Sequence, residues 1–473
     1  TRGFDGCVIT DWGGAHNTNE AIFNGLDIEM GSHTDGLALG GKNAFNEYYL
    51  ADEYLKMALA GEVPMSIIDD KAGRILKLIF RTAMNTQRPW GSFATKEHEA
   101  IALKIAEEGI VLLKNDDNLL PVEKSKYNKI AVIGENAVKR LTIGGGSSEL
   151  KVKREVSPLE GLKLLYGNEI IRYSAGYSSD QNITESQKNT MKKEALTLAK
   201  NADIVLFIGG LNKDHHQDSE GDDREEYCLP YSQNELIKSL LTVNNKLAIV
   251  ILSGNAVEMP WVNDVPAILQ GWFAGSEAGN AIAGIISGEV NPSGKLPFSF
   301  PKKIEHNAAI SFGSDSYPGD GQTVTYKEDI LVGYRWLDTK KIEPLFGFGH
   351  GLSYTTFKLG VATMAKKVIK TTESIRISIS VTNTGNREGA EVIQLYIKDM
   401  ECSLPRPEKE LKAFRKVWLK PGQTTLIDFL IEPTSLQFYD DGQNKWVLEP
   451  GMFEAHLGTS SRNISSKIAF EVK

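Results

Sequence analysis

What most constrains the fold of this chain is a change in the period of its apolar residues near position 372. Upstream, apolar runs of strand length alternate with helical patterns. The runs are Lys129 to Gly134, Ala202 to Gly209, Leu247 to Leu252 and Val265 to Gln270. Helical spacing fills 186–200, 232–243 and 276–287, and an amphipathic helix is predicted over 102–113. Apolar strands alternating with helices predict a mostly parallel sheet covered on both faces, an α/β sandwich domain over 91–305. Downstream, Ile375 to Val381 and Glu391 to Tyr396 alternate at period 2, as do Thr425 to Ile431 and Met452 to Leu457. Turn pairs such as Pro421-Gly422 and Pro450-Gly451 separate them. That pattern predicts a β-sandwich of immunoglobulin or fibronectin type over 361–473. Residues 306–360, rich in Gly, Tyr and Asp, read as a connector.

The first 90 residues carry two strand–helix units. Residues 4–10 and 26–30 read as short strands, and helices follow near 19–24 and 50–58. Ser66 to Asp69 reads as a capping box ahead of a helix with Ala72, Ile75, Leu76 and Ile79 on one face. A full (β/α)8 barrel needs about 250 residues. Residues 1–90 are therefore expected to be a small two-unit piece, or the last two units of such a barrel.

Bulk properties exclude several classes. The 473 residues carry a formal net charge of −8 and no basic stripe, against a nucleic-acid partner. No apolar run reaches the 18 residues of a membrane-spanning helix. Cys7, Cys228 and Cys402 lie far apart without metal-ligand spacing. Thr1-Arg2-Gly3-Phe4 has no signal-peptide character, so any targeting segment is expected upstream.

Three segments carry candidate chemistry. In Thr10-Asp11-Trp12, Asp11 falls at the C-terminal end of a predicted strand, where parallel barrels present catalytic groups. Trp12 offers an aromatic wall for the apolar face of a sugar ring. The alternative is that Asp11 caps the next helix and Trp12 is core. The second segment is the acidic loop Asp218 to Glu226, which follows a strand and contains Glu220, Asp223 and Arg224. Clustered carboxylates raise one another's pKa, as a general acid near neutral pH requires. The alternatives are a solvated acidic loop, or a metal site from Asp214, His215, His216 and Asp218, whose spacing is too close for a typical ligand set. Third, Gly144-Gly145-Gly146 permits close approach to a ligand, which makes Ser147 and Ser148 substrate-binding candidates. The run lacks the Gly-Lys-Ser/Thr end of a phosphate loop.

Together these segments resemble the glycoside hydrolase family 3 β-glucosidases. Gly6 to Gly13 is similar to the family's nucleophile strand, with Thr10 in place of the usual serine. Gly25 to Met30 looks like the next barrel strand. Gly109 to Asn115 with Leu119-Leu120-Pro121 looks like the entry to the α/β sandwich domain. Ser219 to Arg224, with Leu229-Pro230 and Gln233 to Leu236, looks like the acid/base loop. Pro292 to Pro297, Phe346 to Phe357, Asn383 to Tyr396 and Pro405 to Leu411 follow in family order.

The resemblance implies a retaining exo-β-glycosidase without cofactor or metal. Asp11 would be the nucleophile, Glu220 the general acid/base and Trp12 a wall of the sugar subsite. Asp223 and Arg224 would position the acid/base loop. Glutamate rather than histidine at 220 favours a hydrolase over the family's phosphorylases. The expected substrates are β-linked glucosides or oligosaccharides, with a β-xylosidase or a non-catalytic carbohydrate-binding remnant as alternatives. Retention requires the two carboxyls about 5–5.5 Å apart. The family's barrels also carry an aspartate, an arginine and a Lys-His pair ahead of the nucleophile, whereas ten residues precede Asp11 here. A companion N-terminal barrel fragment is therefore expected, from a separate chain or a cleaved precursor. A homodimer and a secreted or periplasmic location are further expectations.

Overall fold

Leu26 to Met30 runs beside Val8 to Thr10, and how far those two segments pair decides what residues 1–93 can build. The computed structural model describes residues 3–30, 48–142, 150–213, 217–220 and 223–473. The chain divides into two compact units, Thr1–Phe93 and Ala94–Lys473. In the first, the two expected strands shrink to one parallel bridge, Ile9 with Ile28. The cause is local. The Asp27 carboxylate takes the Val8 N–H at 2.7 Å, a donor that a longer ladder would use. Main-chain bonds from Thr10 to the Ile28 carbonyl and from Ile28 to the Val8 carbonyl complete the pairing.

Among the described residues the helices that follow are α1 (Thr18–Phe23), α2 (Asp52–Leu59) and α3 (Met65–Arg81). The Asn17 side chain caps α1 by accepting the Glu20 N–H. The capping box expected at Ser66 is absent. Pro64 occupies the N-cap of α3, and Ser66 lies inside the helix. Proline lacks an N–H and has φ near the helical value, so it starts a helix without a side-chain cap. Lys71 on α3 is buried and donates to the carbonyls of Ala21 and Leu26, tying α3 to α1. Among the described residues of this unit, only Ala15, Ala21, Ile22 and Val63 are buried hydrophobics, while Val8, Ile9, Leu76 and Phe80 are exposed. Among the described residues the unit holds one parallel bridge and three helices, and no barrel sheet is formed.

The second unit opens with α4 (Lys96–Gly109) and β1 (Val111–Asn115). The helix expected over 102–113 ends at Gly109. Val111, Leu112 and Leu113 are fully or almost fully buried as an edge strand, antiparallel to a later one. Apolar residues of this kind read equally as helix or strand by periodicity. Then come β2 (Ile130–Ile133), α5 (Pro158–Tyr166), β3 (Ile171–Ser174), α6 (Glu185–Lys200), β4 (Ile204–Gly210), α7 (Gln233–Leu241), β5 (Leu247–Leu252), β6 (Ala267–Gln270) and α8 (Ala278–Ser287). The sheet order is β1-β6-β5-β4-β2-β3, parallel except at β1.

Strand alternation assigns the layers. Ile130, Val132, Leu206, Ile208 and Val250 pack with residues of α5 and α8 on one face. Ala131, Ile133, Val205, Phe207 and Ile249 pack with α6 and α7 on the other. Helices α5 and α8 cross at Gly161 and Gly279, where a Cβ on Gly161 would lie 2.1 Å from the Gly279 carbonyl oxygen.

The connector holds two short helices, α9 (Ala308–Ser311) and α10 (Tyr334–Thr339). The sandwich begins before 361, because β7 (Phe357–Leu359) pairs with β10. It continues with β8 (Thr363–Met364), β9 (Val368–Ile369), β10 (Ile375–Asn383), β11 (Gly389–Asp399), β12 (Glu410–Leu419) and β13 (Thr424–Ile431). After the hairpin β14 (Phe438–Asp440) and β15 (Lys445–Val447) come β16 (Gly451–Gly458) and β17 (Ile464–Val472). One sheet runs β13-β10-β7, with β8 also on β10, and the other β12-β11-β16-β17-β9. Ile377, Ile379, Ile393, Leu395, Phe453 and Phe470 fill the space between. The Asp338 carboxylate on α10 ties connector to sandwich by ion pairs with Lys409 and Arg462.

Candidate active site

Thr10 is anchored on both sides. Its N–H donates to the Ile28 carbonyl at 3.1 Å, and its hydroxyl oxygen accepts the Met30 N–H at 2.8 Å. That second bond explains why a hydroxyl-bearing residue suits this position, since a serine oxygen could accept it as well. Asp11 follows directly and is exposed. Its Oδ1 accepts the Trp12 N–H at 2.8 Å and its carbonyl accepts the Gly14 N–H at 3.1 Å. Gly13 takes φ +66° within this turn, a conformation that favours glycine. Asp11 is not the cap of α1, a place held by Asn17. Trp12 is 59% exposed, so it is not core. An exposed carboxylate on a turn tied to its neighbouring segment, next to an exposed indole, can meet a sugar ring.

The other acidic groups nearby are structural. Asp27 accepts the Val8 N–H, and Glu29 accepts the N–H groups of Tyr49 and Leu50. Asp5 is held far below the usual carboxylate range by its hydrogen bonds to Arg81 and Lys77. Burial pulls the Lys71 ammonium below its ordinary value, partly opposed by Asp27.

In the second unit, β4 delivers the chain to the acidic loop from the C-terminal end of a parallel sheet, the edge where such sheets place their sites. Gly210 sits at φ +121°, and a Cβ there would lie 2.2 Å from the Leu252 carbonyl oxygen. The Gln233 amide at the start of α7 donates to the Gly210 carbonyl and accepts its N–H, at 2.9 and 2.8 Å. Both ends of the loop are thereby joined. Gln217, buried, accepts the Asn212 N–H and donates to the Tyr231 hydroxyl.

The loop base is pinched by one ion pair. The Asp218 carboxylate accepts the Arg224 N–H at 3.2 Å and lies 3.4 Å from its Nε. Arg224 Nη2 donates to the Ala256 carbonyl at 2.9 Å, and its guanidinium sits 5.8 Å from the Tyr227 ring centroid. Glu220 is exposed between those two anchors. Asp223 is exposed and accepts a bond from the Tyr317 hydroxyl at 3.3 Å; the carboxylate raises that phenol above its ordinary value. Burial, reinforced by Glu226, lifts the Cys228 thiol to about 11.

Asp11 and Trp12 thus stand together in one unit, and Glu220, Asp223 and Arg224 on one loop in the other. Ser147 and Ser148, with the three glycines before them, lie outside the described residues, as do Asp214, His215 and His216 of the metal alternative. Among the described residues no cluster of His, Cys, Asp and Glu could hold a metal. Two positions escaped the sequence reading as partners in the loop. Asp218 appeared as one acid in a cluster and as a member of the metal alternative, and its spacing of six from Arg224 belongs to no regular element. Tyr317 sits in the connector, 94 residues from Asp223, with no local signal.

The model of the "Glycosyl hydrolase family 3 C-terminal domain" matches residues 110–354, more than half of the chain, and that of the "Fibronectin type III-like domain" matches 391–461. "Beta-glucosidase BoGH3A" of Bacteroides ovatus is 52% identical over 99% of this chain and 64% of its own length. "Thermostable beta-glucosidase B" of Acetivibrio thermocellus is 36% identical over 99% of this chain and 59% of its own. The crystal structure of a family 3 β-glucosidase from Bifidobacterium adolescentis aligns with a TM-score of 0.87 at 32% identity, covering 99% of this chain and 65% of that one. The chain spans about three fifths of the length of these curated relatives. Its α/β domain, its fibronectin-like sandwich and its identity to these relatives establish that it belongs to glycosyl hydrolase family 3.

Proposed function

We propose that this chain supplies the nucleophile and the acid/base of a retaining β-glucosidase, which releases terminal non-reducing β-D-glucosyl residues. The observation that carries the reading is its 52% identity, over nearly its whole length, to a protein named a β-glucosidase. The exposed Asp11-Trp12 turn and the pinned Glu220 loop support the assignment of roles.

In the first step the Asp11 carboxylate attacks the anomeric carbon. The bond to the leaving oxygen breaks, and Glu220 gives that oxygen its proton. In the second, Glu220 takes a proton from water, the water oxygen attacks the same carbon, and the Asp11 ester is released. Two inversions give retention. Trp12 covers the apolar face of the ring. The Asp218–Arg224 pair holds the loop that carries Glu220, and Asp223 anchors its flank on Tyr317. Ser147 and Ser148 are proposed to add hydroxyl contacts to the substrate.

Full activity is proposed to need further strand–helix units of a barrel, supplied by a companion fragment, and a homodimer is a secondary proposal. The test uses the chain alone and the chain co-expressed with the barrel portion of the Bacteroides ovatus relative. Each is treated with a 2-deoxy-2-fluoroglucosyl fluoride, which traps a glycosyl-enzyme, and the labelled peptide is mapped by mass spectrometry. The label is expected on Asp11 in the completed protein. A label on another carboxylate, or an initial product of inverted configuration, would sink the assignment.

A further inference from the structure

Between β4 and α7 several residues with side chains take the left-handed backbone conformation. They are Lys213 (φ +63°), Asp218 (φ +62°), Tyr231 (φ +58°) and Ser232 (φ +55°). Such conformations are unfavourable, most of all for a bulky residue such as Tyr231, and persist only where the surroundings over-determine them. The Gln217 side chain supplies such a constraint. It is 4% exposed, and its amide reaches both ends of the loop. Its Oε1 accepts the Asn212 N–H at 3.0 Å, just past the end of β4. Its Nε2 donates to the hydroxyl of Tyr231, just ahead of α7. The Tyr231 ring stacks on buried Tyr177, with centroids 6.3 Å apart and planes 11° from parallel. Asn212, Gln217 and Tyr231 are each followed by a left-handed residue, so these bonds brace the loop where its backbone is least at ease.

Glu220 lies on the short arc from Asp218 to Arg224, which their ion pair closes. At its far end the arc is held by Arg224 on the Ala256 carbonyl and by Asp223 on the Tyr317 hydroxyl. At its near end it follows directly from Gln217. Released there, the arc pivots on its far anchors.

We propose that Gln217 is a positioning residue for Glu220, acting through its clamp on Asn212 and Tyr231. A glutamine amide meets both demands, because one planar group accepts from an N–H and donates to a hydroxyl. Leucine has a similar volume and neither function. Proton transfer requires the acid within hydrogen-bond reach of the leaving oxygen, so a pivot of the arc impairs protonation before it impairs anything else. The effect on turnover rests on Glu220 being the acid/base. The hold on the loop does not.

Two measurements test this. The first is hydrogen exchange on the full chain alone, comparing the wild type with Gln217→Leu. The Arg224 amide, bonded to Asp218, is expected to exchange about tenfold faster or more as the loop opens locally. The amides of Leu206 and Ile208 in β4 are expected to keep their rates. Unchanged exchange at Arg224, or an equal rise in β4, overturns the proposal. The second measures kcat/KM, which covers the steps up to departure of the aglycone, for the chain co-expressed with the barrel portion of the Bacteroides ovatus relative. Gln217→Leu is expected to lower it about tenfold or more for a phenyl β-glucoside, whose leaving oxygen needs a proton. For a dinitrophenyl β-glucoside, whose leaving oxygen needs none, the loss stays below about twofold. A merely structural defect lowers both alike, and that outcome overturns the proposal. Tyr231→Phe removes one of the two bonds and shows the same split to a lesser degree, so it carries the test should Gln217→Leu fail to fold. The double variant is expected to lose no more than Gln217→Leu, because the bond they share is already gone; additive losses overturn the clamp. If Glu220→Gln leaves kcat/KM for the phenyl glucoside intact, the reading of Glu220 has failed, and with it the effect on turnover, while exchange at Arg224 still decides whether Gln217 holds the loop.

Discussion

At the scale of single residues, Glu220 and Cys228 lie eight positions apart on one loop and have opposite expectations. Glu220 is exposed, between Asp218 and Arg224 in the chain. If it exchanges protons with the leaving oxygen and with water, Glu220→Gln lowers kcat by about 10²–10⁴. The loss should be smaller for an aryl glucoside with a good leaving group, whose departure needs little protonation. Added azide should restore turnover and yield the β-glucosyl azide, because a small anion replaces the water that Glu220 would have deprotonated. Steady-state kinetics with and without azide check this, and an unchanged kcat would remove Glu220 from the chemistry. Cys228 is instead a poor nucleophile. Its thiol is pushed up to about 11 by burial and the Glu226 carboxylate, so at neutral pH the thiolate is scarce. Alkylation by iodoacetamide should stay slow through pH 8 and accelerate between pH 10 and 11. The linkage has a definite sign. A raised folded-state pKa means the folded chain keeps the proton that the unfolded chain loses, so this contribution to stability is present below about pH 8.5 and is lost as pH rises towards 11.

At the scale of elements, legibility tracked period and cap chemistry unevenly. The central strands β2, β4, β5 and β6 are continuous apolar runs, and a buried parallel strand has no other way to be written. The edge strand β1 was misread as helix, because its Val-Leu-Leu core continues the apolar spacing of α4 and only Gly109 marks the break. Strand β3, with Arg172 exposed and Tyr173 half-buried, is too short and too polar to announce itself. Ser66 imitates a capping box and is none, whereas Ser157 and Thr184 form true boxes with Glu160 and Gln187. The contact between α5 and α8 gives a test of packing against propensity. Gly279 lies inside α8, where alanine is favoured by up to ~1 kcal/mol. A Cβ there would sit 2.1 Å from the Ser157 carbonyl oxygen, and such overpacking costs about 1–3 kcal/mol. Gly279→Ala should therefore destabilise the α/β domain in urea. Gly73, inside α3, has nothing within 4 Å of its Cβ position, so Gly73→Ala should stabilise its unit or leave it unchanged. If both variants stabilise, backbone propensity and not close packing governs these positions.

At the scale of the whole molecule, the succession of α/β layer and β-sandwich was readable and the ties between them were not. Periodicity separates an α/β layer from a sandwich because the two bury different repeats. It says nothing of the Asp218–Arg224 pair, which closes one irregular loop on itself, or of Tyr317 with Asp223, which joins the connector to that loop across 94 positions. The Asp338 cluster is of the same kind. Its aspartate sits on α10, and Lys409 and Arg462 come from the sandwich, 71 and 124 positions later. The Asp338 and Lys409 side chains are 3% and 8% exposed, so each charge depends on the other for its solvation. Removing one partner from a buried pair costs about 3–5 kcal/mol, chiefly because a charge is left unmet. Asp338→Ala should lower the urea midpoint of the second unit by that order and raise amide exchange in α10 and β12. Replacing both partners with apolar groups, Asp338→Leu with Lys409→Met, should recover much of the loss, since no lone buried charge remains there. Arg462, 31% exposed, can turn to water in either variant. An Asp338→Ala protein within about 0.5 kcal/mol of the parent, the range of an ordinary surface change, would mean that apolar packing of Trp336 and Leu337 holds the connector to the sandwich without help from the ion pairs.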